Sequence, residues 1–281
     1  MRHHLILVCI SLLLLLVSCE HLQQANSKYS QSKPDLVEGR YNVAFLIMEG
    51  VYNTELTAPF DIFQHTQYRK GIKAMNVFTV ANTLEPITTF EGLRLLPDYD
   101  YLTEDLPNID ILVVPSAEHH LDTDLENEDM IDWVRQVGAD AQYITSHCDG
   151  AFVLAQAGLL DEVVSTTFPS DVAKYKEMFP DLEVVEDVLF VHDGQAITSA
   201  GGARSFEAAL YLCDLLYGPE IARSIAGGLV IDWDLDQVNY YNPAKITSSD
   251  QSEEYDNYSD YEAVDEGSTY SGSFHRAILT M

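Results

Sequence analysis

A cysteine set between a short β-favouring run and a helix, with glycine two residues on, is a combination built for nucleophilic chemistry. In the stretch Tyr143–Leu159, the run Tyr143–Thr145 leads into Cys148 and Gly150 follows. Ala151, Phe152, Leu154, Ala155 and Ala157 then mark a helical stripe that Gly158 ends. Strand, tight turn and helix make a nucleophile elbow, which pushes the reactive side chain out over the end of a sheet. Gly150 leaves room for the backbone to bend. Unpaired N–H groups at a helix N-terminus favour a thiolate, so the placement predicts a lowered Cys148 pKa. The competing reading is a buried structural cysteine, a common fate of free thiols. Cys213 fits that fate: it lies on the apolar stripe Phe206, Ala209, Leu210, Cys213, Leu216 and Tyr217.

A thiolate needs a partner to set its protonation and handle the proton of its target. In open parallel sheets such partners come from loops at the carboxyl ends of strands. Three loops qualify: Glu49–Glu55, Ser116–His120 and the Cys148 turn itself. Glu55 opens a helix, where an acid also serves simply to balance the dipole. His119 and His120 lie beside Glu118, but adjacent histidines in a loop rarely chelate together and no third ligand stands at a helical spacing. The expectation is no metal and no cofactor, with His119 as a candidate proton carrier at the crevice. His192 falls at a strand end and reads as incidental.

The elements that must hold these residues alternate. A strand is predicted at Tyr41–Met48, a near-continuous apolar run of the kind covered on both faces, a second at Met75–Ala81 and a third, buried one at Asp110–Val114. Helical patterns run from about Glu55 to Lys70 and over Asp129–Val137, and a hairpin is expected around Glu91-Gly92. After the elbow come a short helix at Ser170–Met178, short strands at Glu183–Val185, Val188–Val191 and Ala196–Thr198, and closing helices at Gly202–Tyr217 and Pro219–Leu229. This order predicts one α/β domain over residues 40–238 with a mainly parallel sheet and right-handed crossovers.

Both ends read differently. Arg2 and the apolar run Leu5–Val17 form a signal sequence over residues 1–18, too short to span a bilayer comfortably. The run closes in Leu16-Val17-Ser18-Cys19, which resembles a lipobox and implies acylation of Cys19 and anchoring in a bacterial cell envelope. Residues 19–39 read as a flexible polar tether, and 239–281 as an acidic, largely disordered tail. With 45 acidic against 15 basic residues the formal net charge is −30, which excludes the basic footprint of a nucleic-acid binder. Of the four cysteines, Cys9 and Cys19 belong to the targeting segment, so no disulfide framework is implied.

From about Tyr41 to Trp233 the chain resembles the DJ-1/PfpI superfamily, the class I glutamine-amidotransferase-like group. The branch most similar in pattern contains isonitrile hydratases and the amidotransferase-like domains of AraC-type regulators. The segments that carry the resemblance are Glu55-Leu-Thr-Ala-Pro59-Phe-Asp61-Ile-Phe63, Asp110-Ile-Leu-Val-Val-Pro115 and Cys148-Asp-Gly-Ala-Phe-Val-Leu-Ala155, followed by Ala157-Gly-Leu-Leu-Asp161, Phe179-Pro180 and Ile197-Thr-Ser-Ala-Gly201. The resemblance implies a flavodoxin-like, doubly wound sheet with helices on both faces and a nucleophile elbow. It implies that Cys148 is the nucleophile and that Glu55, holding its proton, hydrogen-bonds the sulfur. The backbone N–H groups of Asp149 and of Ser116 or Ala117 match an oxyanion pocket. A homodimer is implied as well.

Departures from the pattern are specific. Ser116-Ala117 stands where the family usually has Gly-Gly, and Asp149 where the hydratase branch has Thr. Asp149 is therefore expected to raise the thiol pKa or to act as a second base. His147 precedes the cysteine instead of following it, and strand geometry points it away. The Thr-Thr-His-Trp segment of the regulator-like branch reads Thr166-Thr167-Phe168-Pro169, without its His. Two functions follow: a cysteine-dependent hydratase, lyase or hydrolase of a small electrophile, isonitrile hydratase-like or glyoxalase-like, or a ligand-binding or oxidation-sensing lipoprotein without turnover. A transcription regulator is disfavoured, because no helix-turn-helix pattern follows residue 240 and the signal sequence directs export.

Overall fold

The computed structural model of the protein describes residues 33–103 and 105–245. Its frame is an eight-stranded sheet. In chain order, β1 is Tyr41–Leu46, β2 Met75–Ala81, β3 Ile87–Thr88, β4 Arg94–Leu95, β5 Tyr99–Asp100, β6 Ile111–Val114, β7 Tyr143–His147, β8 Val164–Ser165, β9 Glu183–Val184, β10 Phe190–Asp193, β11 Ala196–Ser199 and β12 Tyr240–Tyr241. The sheet order is β12-β10-β11-β7-β6-β1-β2-β5, and all its pairings are parallel except β10 with β11. That pair is a hairpin closed by Gly194-Gln195, a link too short for a crossover. β3 with β4, and β8 with β9, form separate two-stranded sheets.

The main helices are α1 Asn53–Gln64, α2 Glu128–Asp140, α3 Gly150–Gln156, α4 Val172–Met178, α5 Ser205–Tyr217 and α6 Pro219–Gly228. Strand side chains alternate between two cores. Val43, Phe45, Ile111 and Val113 pack with Leu56, Ile62 and Phe63 of α1 and with the apolar faces of α5 and α6. Ala44, Leu46, Leu112 and Val114 pack on the other side with Met130 and Val134 of α2, with α3, and with Tyr175 of α4. Coverage on both faces explains why β6 is an unbroken apolar run and why β1 and β2 are mostly apolar, interrupted by Asn42 and by Asn76 and Thr79. The chain therefore has the doubly wound, flavodoxin-like α/β fold expected from its sequence.

The differences lie in short pieces. β5, β8 and β12 are two residues each and carry no legible period. β12 takes the sheet to Tyr241, past the boundary at 238, because Tyr240 stacks on Phe190 with ring centroids 4.9 Å apart. After this unit the described residues are Asn242 and the turn of 3₁₀ helix Pro243–Lys245. The signal segment 1–18, the acylation candidate Cys19, much of the tether and nearly all of the acidic tail lie outside the described residues.

Candidate active site

Cys148 stands at the turn between β7 and α3 with φ +54°, a left-handed conformation that costs a non-glycine residue about 1–2 kcal/mol. Its N–H donates to Ser199 O (2.9 Å), continuing the β7–β11 ladder by one bond before the chain turns. Two glycines make the turn possible. A Cβ on Gly150 would sit 2.0 Å from Val114 O at the end of β6, and one on Gly201 would sit 2.3 Å from Cys148 Cβ. The elbow predicted from Gly150 is thus present, and Gly201 is the second close approach that closes it.

Glu55 reaches the same place from the first turn of α1. It is 6% exposed, and its Oε1 accepts the Gly202 N–H at 3.1 Å. Pro59, four residues on, lacks the N–H that would have bonded the Glu55 carbonyl. Burial raises the Glu55 carboxyl to about 7, against smaller lowering effects from the Gly202 N–H and the Cys148 thiol. Glu55 Oε2 and the Ser116 hydroxyl are both buried, and neither makes a hydrogen bond of standard geometry.

Asp149, the residue after the nucleophile, is 7% exposed. Burial, then the charges of Asp171 and Glu55, raises it to about 7, opposed by Thr167 and the Cys148 thiol. Thr167 Oγ1 lies 3.1 Å from Cys148 O and 3.3 Å from Asp149 Oδ1, so one hydroxyl ties the turn's backbone to its carboxyl. Two carboxyls of near-neutral pKa therefore share the surroundings of one sulfur.

The thiol departs from expectation. Cys148 is 6% exposed, and burial, then Asp149 and Glu55, pushes its pKa well above the ordinary range. The Asp149 N–H and Ser116 hydroxyl favour the thiolate but do not prevail. In place of the predicted low-pKa thiolate at a helix N-terminus, the resting group is a neutral thiol beside two carboxyls that titrate below it. The physical reason is local: the short helix contributes a modest field, whereas desolvation and two like charges act at close range.

The loop after β6 also differs from the pattern. Ala117 forms an antiparallel bridge with Val51, and its N–H goes to Nδ1 of His120 at 3.2 Å, so it is not a free oxyanion donor. The Ser116 N–H faces Glu55, and the Asp149 N–H faces the sulfur. His119, the candidate proton carrier, is instead half exposed with Nδ1 3.2 Å from Asp122 Oδ1. Its neighbour His120 is fully buried against the elbow, and burial lowers it to about 3. Accepting at Nδ1, it carries its proton on Nε2, which lies 3.3 Å from Met48 Sδ. His147 turns into the sheet, Nδ1 3.0 Å from Ser199 Oγ, and burial lowers it to about 3.

Three members of the site had no clear signal in the sequence. Thr167 looked like a remnant of an altered motif, and Gly202 like the start of a helix. Tyr52 is a lone aromatic in a loop; it rests on Phe90, with centroids 4.6 Å apart, and its hydroxyl pKa is raised by burial and then by Cys148, Glu55 and Asp149. Among the described residues, no group of three or more His, Cys, Asp or Glu is arranged to hold a metal ion.

Comparison with known proteins agrees with this fold. The DJ-1/PfpI family pattern matches residues 41–214. An isonitrile hydratase of Pseudomonas putida is 31% identical over 185 residues, which span 65% of this chain and 75% of the hydratase. The HTH-type transcriptional regulator CdhR of Pseudomonas aeruginosa is 32% identical over 102 residues, 36% of this chain and 30% of the regulator. The crystal structure of a THiJ/PfpI family protein from Pseudomonas syringae superposes with a TM-score of 0.59 at 22% identity, covering 73% of this chain and 84% of that one, a likeness of fold. The family match, with the elbow cysteine and its buried acid, establishes that this chain belongs to the DJ-1/PfpI family.

Proposed function

We propose that the protein is a cysteine-dependent hydratase of small electrophiles, with isonitriles as the first substrate class to test. The observation that supports it is a neutral thiol flanked by two buried carboxyls, Glu55 and Asp149, each raised to about 7. Such groups exchange protons readily near neutral pH, where general acid–base catalysis is most effective. The similarity to an isonitrile hydratase points to the substrate.

In this scheme a carboxylate removes the Cys148 proton as a sulfur lone pair forms a bond to the terminal carbon of R–N≡C. The proton is delivered to the same carbon, giving the thioimidate R–N=CH–S–Cys148. Water then adds to that carbon and its proton passes to nitrogen. The C–S bond breaks, its electrons return to sulfur, and sulfur takes the hydroxyl proton through the second carboxyl. The product is R–NH–CHO, so the sum is one isonitrile plus one water, with the enzyme unchanged. The Asp149 N–H faces the sulfur, where it stabilises the charge that returns there as the C–S bond breaks.

The test is turnover of isonitriles by the purified protein and by Cys148→Ala and Glu55→Ala. Formamide production lost in both folded variants supports the proposal. Production that survives Cys148→Ala rejects it. A second reading, an oxidation sensor, requires peroxide to modify Cys148 without any turnover; the raised thiol pKa makes that the weaker proposal. We further propose envelope anchoring through Cys19 and a homodimer. A Cys19→Ser chain that still partitions with membranes rejects the first, and a monomer in sedimentation rejects the second.

A further inference from the structure

Thr167 is 1% exposed, and its single hydroxyl hydrogen has two acceptors within reach, Cys148 O at 3.1 Å and Asp149 Oδ1 at 3.3 Å. A hydroxyl donates once and accepts through two lone pairs, so it serves one of these oxygens at a time. The Cys148 carbonyl and the Asp149 N–H belong to one peptide group, and that N–H faces the Cys148 sulfur. Hydroxyl, peptide and sulfur thus form a chain in which each hydrogen bond polarises the next.

The charge on Asp149 decides which oxygen is served. An ionised carboxylate draws the hydrogen, because a bond to a charged acceptor is roughly twice as strong as a neutral one, which outweighs the slightly longer distance. A proton on the carboxyl removes that advantage. The carbonyl is then the nearer acceptor, and a carboxyl O–H donates to the Thr167 oxygen in return. The groups that face Asp149 come from several elements. After burial, Asp171 on the segment that follows Thr167 and Glu55 from α1 raise its carboxyl, and its charge acts on Tyr52. The Cys148 thiol donates to it, and the His120 ring against its backbone is held neutral by burial. None of these is a cation that would fix the carboxyl in its ionised form.

Resting on the reading of Cys148 as the nucleophile, we propose that Thr167 is a positioning residue that couples Asp149 to the thiol. When a proton leaves the Cys148 sulfur for the Asp149 carboxylate, the hydroxyl turns from the carboxyl to the Cys148 carbonyl and strengthens the Asp149 N–H toward the new thiolate. The S–H bond breaks, its electron pair stays on sulfur and the proton ends on a carboxyl oxygen, so nothing is oxidised or reduced. The thiolate gains its donor as it forms and loses it when Asp149 returns the proton.

The experiment modifies Cys148 of the full-length chain with methyl methanethiosulfonate from pH 5 to 9. Rates are read by mass spectrometry on the Cys148-bearing peptide. The rate with Thr167 is divided by the rate in Thr167→Val, once with Asp149 in place and once in Asp149→Asn, whose amide is neutral throughout. With Asp149 in place the ratio should be about two- to fourfold at pH 5, the weight of strengthening one charge-assisted bond by about 10–30%. It should approach one at pH 9, where the carboxylate holds the hydroxyl. In Asp149→Asn it should keep its acid value at every pH. Thr167→Ser should follow wild type, and Thr167→Ala takes the place of Thr167→Val if that chain does not fold. A ratio of one throughout, or one above unity that ignores pH with Asp149 in place, overturns the coupling and leaves the nucleophile reading standing. A ratio that still falls with pH in Asp149→Asn assigns the dependence to another group and overturns it too. No modification at any pH overturns the nucleophile reading and this inference together.

Discussion

Gly202 donates its backbone N–H to Oε1 of Glu55 at 3.1 Å, joining the start of the α5 segment to the first turn of α1. The bond fixes one carboxyl oxygen and leaves the other, Oε2, buried beside the Cys148 thiol. Glu55 is thus held by backbone on one side and offered to chemistry on the other. Glu55→Gln keeps the shape but cannot take a proton. Turnover should fall by about 10²–10⁴-fold, the usual weight of a general acid–base group, with the far-UV spectrum unchanged. Activity within threefold of wild type would show that Glu55 only shapes the pocket.

Asp149 and Thr167 act as a pair. The hydroxyl of Thr167 helps hold the Asp149 carboxyl down against burial. Thr167→Val should move the Asp149-dependent limb of the pH–rate profile to higher pH and cost about 1–2 kcal/mol of stability. Thr167→Ser should restore both. Kinetics from pH 5 to 9, with urea melts, make the comparison.

The pH dependence of stability has opposing contributions. Glu55 is raised from 4.5 to about 7 on folding, so between those values the folded chain holds a proton that the unfolded chain has released. Its contribution is therefore present below pH 4.5 and lost as pH rises to 7. His147 is lowered from 6.5 to about 3, so between those values the unfolded chain holds the extra proton. That cost disappears as pH rises to 6.5. Relative to wild type, Glu55→Gln should gain stability with rising pH across 4.5–7, and His147→Gln should lose it across 3–6.5. Each difference is limited to about 1.4 kcal/mol per pH unit. Denaturant melts at four pH values check both signs; parallel curves would show that neither group is perturbed.

Gly150→Ala drives a Cβ into Val114 O at 2.0 Å, a backbone atom that cannot swing aside. The expected cost is on the order of 3 kcal/mol or more, and the elbow should lose its geometry with it. Gly194→Ala meets nothing closer than Val163 Cγ1 at 3.8 Å, so only its positive φ is penalised. Its cost should be about 1 kcal/mol. Thermal melts that rank the two in the opposite order would contradict the packing around the elbow.

The sequence by itself determined the elements that repeat a period or obey turn chemistry. Met75–Ala81 was legible to the residue because a strand covered on both faces is mostly apolar, here with Asn76 and Thr79 as its polar members. Cys148 and Gly150 were legible as an elbow because only a few residue types permit that bend. Glu55 was legible only as the acid of a helix start, until the family pattern gave it a partner. Two-residue strands such as Tyr99–Asp100 left no trace, since pairing alone defines them. The tertiary structure decided everything that depends on what lies beside what. It chose His120 over His119 for burial against the elbow, committed the Ala117 N–H to that ring, and brought Thr167 and Gly202 to the site. Above all it set the protonation of the thiol. A helix start favours a thiolate along the chain, but desolvation, the adjacent Asp149 carboxyl and Glu55 from across the fold outweigh it at short range. Charge and burial at a site are sums over neighbours in space, and the order of residues does not contain that sum until the chain has folded.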